Sequence, residues 1–564
     1  MSWLFGYFGN TDRLEITSPD IPLYQFKNPN LVLFSGGNTK TSFFKSNSPE
    51  SFWAVAGVGL ESENDGFRIL NNTVWDSKLN SDQICLSSVN GHFVAIKYYN
   101  NEIKFFTDEL GLRDIYIVQL QNGFGFSTRI DWIKYFMKPS IDLEEFGSRW
   151  LLQNQISRNS IIKKVKRLVC SNATLKGNSI SIEPNDWQPN FEMPGNREVF
   201  EAVLRQLLKI KDRRILLSLS GGLDSRLLLS YLVNLDFNRW ETHTFGDPDH
   251  PDSKAASALL KSVGYRNKII NDEIPSKDNL AKLVKAYSVQ SIVTNPVSSI
   301  LNLRYYDRIT NESSVIIDGG FGEIWRRAFA NRLLFFGKNA LSKKDSKTVS
   351  AFLRYYRADI FSAETLIEME SGLFNQLNNL FNSLPDANQI GSEKWIDLFS
   401  IRSRLTNYYS PEQVRIDQYA VSFMPLVQKD ILNLLFGLNE SDKRNGKLFK
   451  QLIRRNSIQL TKHQLVKGNI THPFNSSFLS ARLHSRIKSK LGLSFQSRDQ
   501  VEFHKSLKEF IGDIVVSADV RNYEYYDRNK IEKMLHDYLT NDDKYNSEID
   551  WFLSFELFRQ GIMK

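Results

Sequence analysis

The residues best suited to chemistry sit in one short string, Ser220-Gly221-Gly222-Leu223-Asp224-Ser225, inside RILLSLSGGLDSRLLLSYL. Adjacent glycines permit a tight turn and a close backbone approach. The amides of such a turn, and of a helix that begins directly after it, form a receptor for an anion. The hydroxyls of Ser220 and Ser225 add hydrogen-bond donors. A carboxylate in the same loop, Asp224, would repel a phosphate chain unless a divalent cation stood between them, so Mg²⁺ is implied. A Gly-Gly turn with Asp and Ser as helix caps is the plainer reading. The complete S-G-G-x-D-S string between an apolar strand and an apolar helix favours the anion site. It is not G-x-x-x-x-G-K-[ST], so P-loop kinase or motor chemistry is not expected.

Such a loop needs a strand to deliver it and a helix to follow it, and both are written beside it. RILLSLS is a short apolar strand and SRLLLSYLVNL a helix, preceded by the helical spacing of REVFEAVLRQLLKIK. THTFG, DSKAASALLKSVG and NKII continue as strand, helix and strand. Strands alternating with helices imply a parallel sheet covered on both faces. Residues 1 to about 185 read differently. NLVLFSG, GHFVAIKYY, NEIKFFTD, DIYIVQLQ and GFGFST are strands separated by Gly, Asn and Asp turns. After about 340 the pattern is mainly helical, as in TLIEMESGLFNQLNNLFNSL and KDILNLLFGL, with SLPDANQIGSEK the most loop-like interruption. No internal repeat is present.

The 564 residues are too many for one ordinary domain and suggest two to four. Hydrophobic residues at 41% and charged residues at 24% are the balance of a soluble globular protein. The net charge of +9 is mild for this length and reads as a surface bias, so no nucleic-acid partner is expected. Cys85 and Cys170 are the only cysteines, which excludes a disulfide scaffold or Cys-rich zinc site and fits a reducing cytoplasm. The opening lacks the basic start and cleavage pattern of a signal peptide, and no run of about 20 apolar residues predicts a membrane span.

The S-G-G-x-D-S string resembles the pyrophosphate-binding loop of ATP pyrophosphatases, and further matches follow in the order of the asparagine synthetase branch. Asp252 in FGDPDHPDSKAASALLKSVG falls where that branch starts a helix with Asp. SVIIDGGFGEIWRRAF falls where it has a strand ending in an acidic glycine loop. With Glu323 aligned to the last acid of that loop, the metal-binding Asp falls on Gly322, so the second metal ligand would be Asp318 or Glu323. Gly446-Lys447 of GKLFKQLIRR is in register, and Lys467 of LTKHQLVKGNITHPF stands six residues before Pro473, the spacing of the family's catalytic lysine. A cation there would stabilise charge on an adenylate and departing phosphates. The resemblance implies catalytic roles for Lys467 and Lys447, and nucleotide contacts from Ser218, Ser220, Gly221, Gly222, Asp224, Ser225, Phe245, Gly319 and Gly320. Metal ligation would fall to Asp224 with Asp318 or Glu323. One element is absent: Val421 occupies the place of a Glu that helps bind or deprotonate the amine in some members.

The first half resembles the glutamine amidotransferase domain fused to such synthetases, an Ntn-type αββα sandwich. Asn90-Gly91, Asp108, Gly111, Arg113, Tyr116 and Ser127 fall in line. In MSWLFGYFGN, however, Ser2 replaces the nucleophilic cysteine and Trp3 the small residue beside it. The resemblance therefore implies a degenerate amidotransferase-like domain over 1–185 and an ATP-pyrophosphatase synthetase domain with a helical C-terminal part over 197–564. The expected function is an amide-bond-forming synthetase without glutaminase activity, using ATP and Mg²⁺ to adenylate a carboxylate and pass the acyl group to an amine. Small-molecule or peptide carboxylates are the expected partners, macrolactam formation in a peptide among them, and assembly as a homo-oligomer is compatible. The alternatives are an ammonia-dependent synthetase acting on a small acid or sugar carboxylate, and a non-catalytic nucleotide-binding regulatory or interaction protein.

Overall fold

A computed structural model describes residues 1–564 except 12–15, 82, 193–194, 236–238, 304, 310–313, 492–494, 496, 541–546 and 564, with backbone alone at 307 and 478. Among the described residues it is a mixed α/β protein with two large antiparallel sheets, a two-stranded antiparallel hairpin, one parallel sheet and many helices.

The residues up to Pro184 form the two large antiparallel sheets. One runs Val165–Leu168, Ile115–Leu120, Gly123–Ser127, Trp3–Gly9, Leu31–Gly36, Pro22–Asn28. The other runs Ser179–Pro184, Ser171–Lys176, Glu102–Thr107, Asn90–Tyr99, Ser51–Glu63, Ser42–Ser48, with Gly66–Ile69 on the end of Ser51–Glu63. In EIKFFT, Ile103 and Phe105 point inward while Lys104 is exposed, the alternation of a strand with one wet face. Leu4, Phe8 and Leu33 of the first sheet pack on Phe52, Ile96 and Phe105 of the second. Outside the second sheet, helix Asn72–Leu79 lays Trp75 and Leu79 against Trp53, Val55 and Phe93.

The outer face of the first sheet is covered in part by the 3₁₀ segment Ile130–Tyr135, whose Trp132 meets Trp3, Phe5, Val32 and Phe34. Helix Leu143–Leu151 shares a buried cluster with Tyr116, Val118 and Val165 of that sheet through Leu143, Phe146 and Trp150. Helix Ser547–Met563, from the opposite end of the chain, supplies more: it packs against the 3₁₀ segment, and Lys134 Nζ donates to Gly561 O at 3.1 Å.

The second half centres on five parallel strands in the order Lys268–Ile270, Trp240–Phe245, Arg214–Ser218, Ser314–Ile317, Ser422–Phe423. In chain order this is third, second, first, fourth, fifth. The first strand is central, and the winding reverses across it. The crevice beyond its carboxyl end is the topological switch point, where open parallel sheets bind ligands. Ile215, Leu216 and Leu217 are buried on both faces, as a central parallel strand requires.

The helices follow the expected pattern at Arg197–Leu207, Leu223–Leu232, Pro251–Ser262 and Ala363–Ser383. Two segments differ. KDILNLLFGL is helical only over Lys429–Leu432 and then turns. SLPDANQIGSEK is largely ordered, with Ala387–Ile390 capped by Asp386 and Ser392–Ser400 entered through Gly391 at φ +84°.

Candidate functional site

Strand Arg214–Ser218 ends at the switch point and hands over to helix Leu223–Leu232 through Leu219–Gly222. Side chains and amides fold this turn on itself. Ser225 Oγ accepts from Ser220 N at 3.2 Å, Ser220 Oγ from Gly222 N at 3.2 Å, and Asp252 Oδ1 from Gly221 N at 2.8 Å. Gly221 is required by close approach: a Cβ there would lie 2.3 Å from Val466 Cγ2 and 2.8 Å from Ala255 Cβ. The following helix begins at Gly222 without a side-chain cap, which leaves its first turn to face the crevice.

Two cavities flank the turn, and Ser218 and Ser220 line both. The first, about 470 Å³, contains Phe245, His243, Asp247, Asp252 and Tyr305. The Phe245 and Tyr305 rings stack there with centroids 5.1 Å apart. His243 accepts or donates to Ser218 Oγ at 2.8 Å, and burial, with Lys268 adding, pushes its imidazole down to about 3. The second cavity, about 430 Å³, contains Gly222, Asp224, Ser225, Asp318, Gly319 and Gly320. Arg326, Lys450, Lys467 and His472 also line it. The sequence reading thus brought Ser218, Ser220, Gly222, Asp224, Ser225, Asp318, Gly319, Gly320, Phe245 and Lys467 to one crevice, with Gly221 at its turn.

The assignments of Lys447 and Glu323 are corrected. Lys447 opens helix Lys447–Asn456 but is half exposed, with Nζ 3.5 Å from Asp442, and it does not line the second cavity. One turn later Lys450 does, its Nζ donating to Ser476 O at 2.8 Å. Glu323 is closed off as a metal ligand: Oε1 accepts from Arg404 Nε at 2.7 Å and Oε2 from Tyr409 OH at 2.8 Å. Arg404 and Tyr409 both come from the π-helical run Ile401–Tyr409, a conformation no residue pattern announces.

The remaining proposed ligands do not make a metal set either. Asp224 is gripped through both oxygens by Arg326, at 2.7 Å each. Asp318 Oδ1 accepts from Gly320 N at 2.7 Å, and burial pushes its carboxyl up to about 6. Among the described residues, no group of three or more His, Cys, Asp or Glu side chains could hold a metal ion. Asp224 and Asp318 are thus already engaged by Arg326 and the Gly320 amide, and the lining beside them carries cationic side chains rather than a third carboxylate. Arg326 and Lys450 are site residues the sequence reading did not single out. Arg326 stands in the quoted SVIIDGGFGEIWRRAF, three residues past Glu323.

At the other end of the molecule, Ser2 is fully buried in the first strand's approach. Arg113 NH2 donates to Ser2 O at 2.5 Å and to Ser2 Oγ at 3.1 Å, while its other terminal nitrogen pairs with Asp417. Asp417 also meets His92 Nε2 at 2.8 Å. Asn90 Nδ2 donates to Asp430 Oδ2 at 2.7 Å, and Gly91 N to Gln428 Oε1 at 2.9 Å. Lys429 N returns a bond to Asn90 Oδ1 at 2.8 Å. Residues 417 and 428–430 belong to the second half, so Asn90, Gly91, His92 and Arg113 of the first bond across the seam. Val421 is buried, and its carbonyl accepts from Ile316 N at 2.9 Å.

Among the described residues no helix is long and apolar enough to cross a membrane. No protein-family model matches the chain, and no curated protein matches it. Solved structures that match include one described as the structure of the allosteric regulatory enzyme of purine biosynthesis. It is 11% identical, with 60% of this chain and 72% of that one covered and a TM-score of 0.20.

Proposed function

We propose that the protein is an ATP-dependent amide-bond-forming synthetase of asparagine synthetase type, with an Ntn-like first half that no longer hydrolyses glutamine. The observation that carries this reading is the Ser218–Ser225 turn at the switch point, set between an aromatic cavity and a cationic one. Phe245 and Tyr305 offer flat apolar faces suited to a purine, and Asp247, Asp252 and Ser218 offer polar groups for a ribose. The uncapped helix start, Arg326, Lys450 and Lys467 suit a phosphate chain. The Lys467 amine is held below its ordinary value by partial burial, then by Arg326 and Arg482, a positive field that an anion would relieve.

ATP would supply activation: a carboxylate oxygen bonds to the α-phosphorus as the bond to the bridging β-phosphate oxygen breaks, and pyrophosphate leaves. An amine then bonds to the acyl carbon, AMP departs with the electron pair, and the amine's proton passes to solvent or base. The chain's part is to orient the phosphates and stabilise the charge that grows on them. With the Ser2 end sealed, the amine has to arrive from elsewhere.

The test is pyrophosphate release from ATP across a panel of carboxylic acids and peptides, with hydroxylamine as the amine surrogate. Acid-dependent release and hydroxamate formation are expected, falling at least about tenfold in Asp224→Ala. Release unchanged by Asp224→Ala overturns the site. A second reading, a nucleotide-binding regulatory protein, is favoured by the Arg326 grip on Asp224. ATP binding with no release for any acid would select it.

A further inference from the structure

Asp224 is the carboxylate inside the turn, and the structure commits both of its oxygens to one guanidinium. The surroundings fix that pairing. Phe321 at φ +63° and Arg327 at φ +51° hold left-handed backbone on either side of Arg326, a conformation non-glycine residues keep only where neighbours enforce it. Arg327 is buried and anchored, pairing with Glu393 and with Asp397 at 3.0 Å, and Asp397 also takes Lys443 at 2.8 Å. A side chain at 322 would displace the Asp224 carboxylate from this arrangement, since a Cβ there would fall 2.2 Å from Asp224 Cγ. Burial works to lower the Arg326 guanidinium, but Asp224 outweighs it and keeps the side chain firmly charged.

Around this pair the second cavity sets three cations, Arg326, Lys450 and Lys467, against two acids, Asp224 and Asp318. A guanidinium has five N–H donors, and the grip on Asp224 uses two of them. The three left can bond phosphate oxygens.

We infer that Arg326 does in this chain the work of a turn-bound divalent cation: it neutralises Asp224 and, with Lys450 and Lys467, receives a polyphosphate that carries no protein-held metal. The inference rests on the nucleotide reading of the turn. It specifies the ligand class of the second cavity as a polyphosphate chain bound by guanidinium and ammonium groups. Arg326 is a ligand-binding residue on this account, not merely a structural partner of Asp224.

Calorimetric titration of the full chain with inorganic pyrophosphate and with ATP, in excess EDTA and in Mg²⁺, tests it. Pyrophosphate binds in EDTA within about threefold of its Mg²⁺ affinity on this account, and Arg326→Gln weakens the EDTA value at least about tenfold. Should Arg326→Gln fail to fold, Lys450→Met keeps the question open to test, because it leaves the Asp224 pair intact and still lowers metal-free affinity. Titration of the ligand-free protein with Mn²⁺, followed by electron paramagnetic resonance, is expected to show no tightly held ion. Pyrophosphate and ATP that bind only with Mg²⁺, or a tight Mn²⁺ site in the ligand-free chain, overturn the inference and leave the nucleotide reading standing. Failure of both ligands to bind in either buffer overturns the nucleotide reading and the inference with it.

Discussion

Two polar clusters in this molecule look alike in sequence and differ in what surrounds them. Ser2, Asn90, Gly91, His92 and Arg113 lie under the second half, whose Asp417, Gln428 and Asp430 take up their hydrogen bonds. Ser218, Ser220, Asp224 and Ser225 instead border cavities of about 470 and 430 Å³. Polar residues buried where the two halves meet serve to hold them together. What marks a working site is that its polar groups face space a ligand can enter.

The strongest blow to that contrast should come at Asp417. Asp417→Ala leaves the Arg113 charge and His92 buried with no counter-charge, and a loss of about 3–5 kcal/mol is expected in urea unfolding. A loss under about 1 kcal/mol would mean that the seam is not what holds the first cluster.

Acidification comes next and probes the open cluster from below. His243 sits near 3 when folded, so between pH 6.5 and 3 the unfolded chain binds the extra proton there, and the His243 contribution to stability falls as pH falls. The loss is on the order of 2 kcal/mol by pH 5. Asp108 and Asp318, both raised by burial to about 6, work in the opposite direction over much of the same range, from about pH 6 down to about 4. The quantity to read is therefore the wild-type loss minus that of His243→Gln in thermal unfolding. Equal losses in the two proteins would contradict a neutral buried imidazole beside Ser218.

The smallest effect is expected at Ser2. Ser2→Ala removes one weak bond from Arg113 and should cost about 1 kcal/mol or less. Glutamine should yield no ammonia with either protein. Glutamine hydrolysis that disappears in Ser2→Ala would turn the sealed cluster back into an active site.

Much of the parallel-sheet half was legible because its signals are local. An apolar strand, a glycine turn and an amphipathic helix lie consecutively in RILLSLSGGLDSRLLLSYL, so the turn at 218–225 and its neighbours could be placed from spacing alone. What stayed hidden is set by partners far away in the chain. Arg326 meets Asp224 across 102 residues, Arg404 meets Glu323 across 81, and Asp417 meets Arg113 across 304. The two-residue strand Ser422–Phe423 and the hairpin of Leu465–Lys467 with Ile470–His472 are too short to carry a periodic pattern. Lys447 and Lys450 sit three residues apart on one helix, and it is Lys450 that lines the cavity and bonds Ser476 O, while Lys447 faces Asp442.

One titration bears on the contrast most directly. ATP is added to the wild type, to Ser2→Ala and to Ser220→Asp, the last placing a carboxylate where Ser220 borders both cavities. The account predicts equal ATP affinity for wild type and Ser2→Ala, and a loss of at least about tenfold in Ser220→Asp with little change in melting temperature. ATP binding in Ser220→Asp at wild-type strength would contradict it.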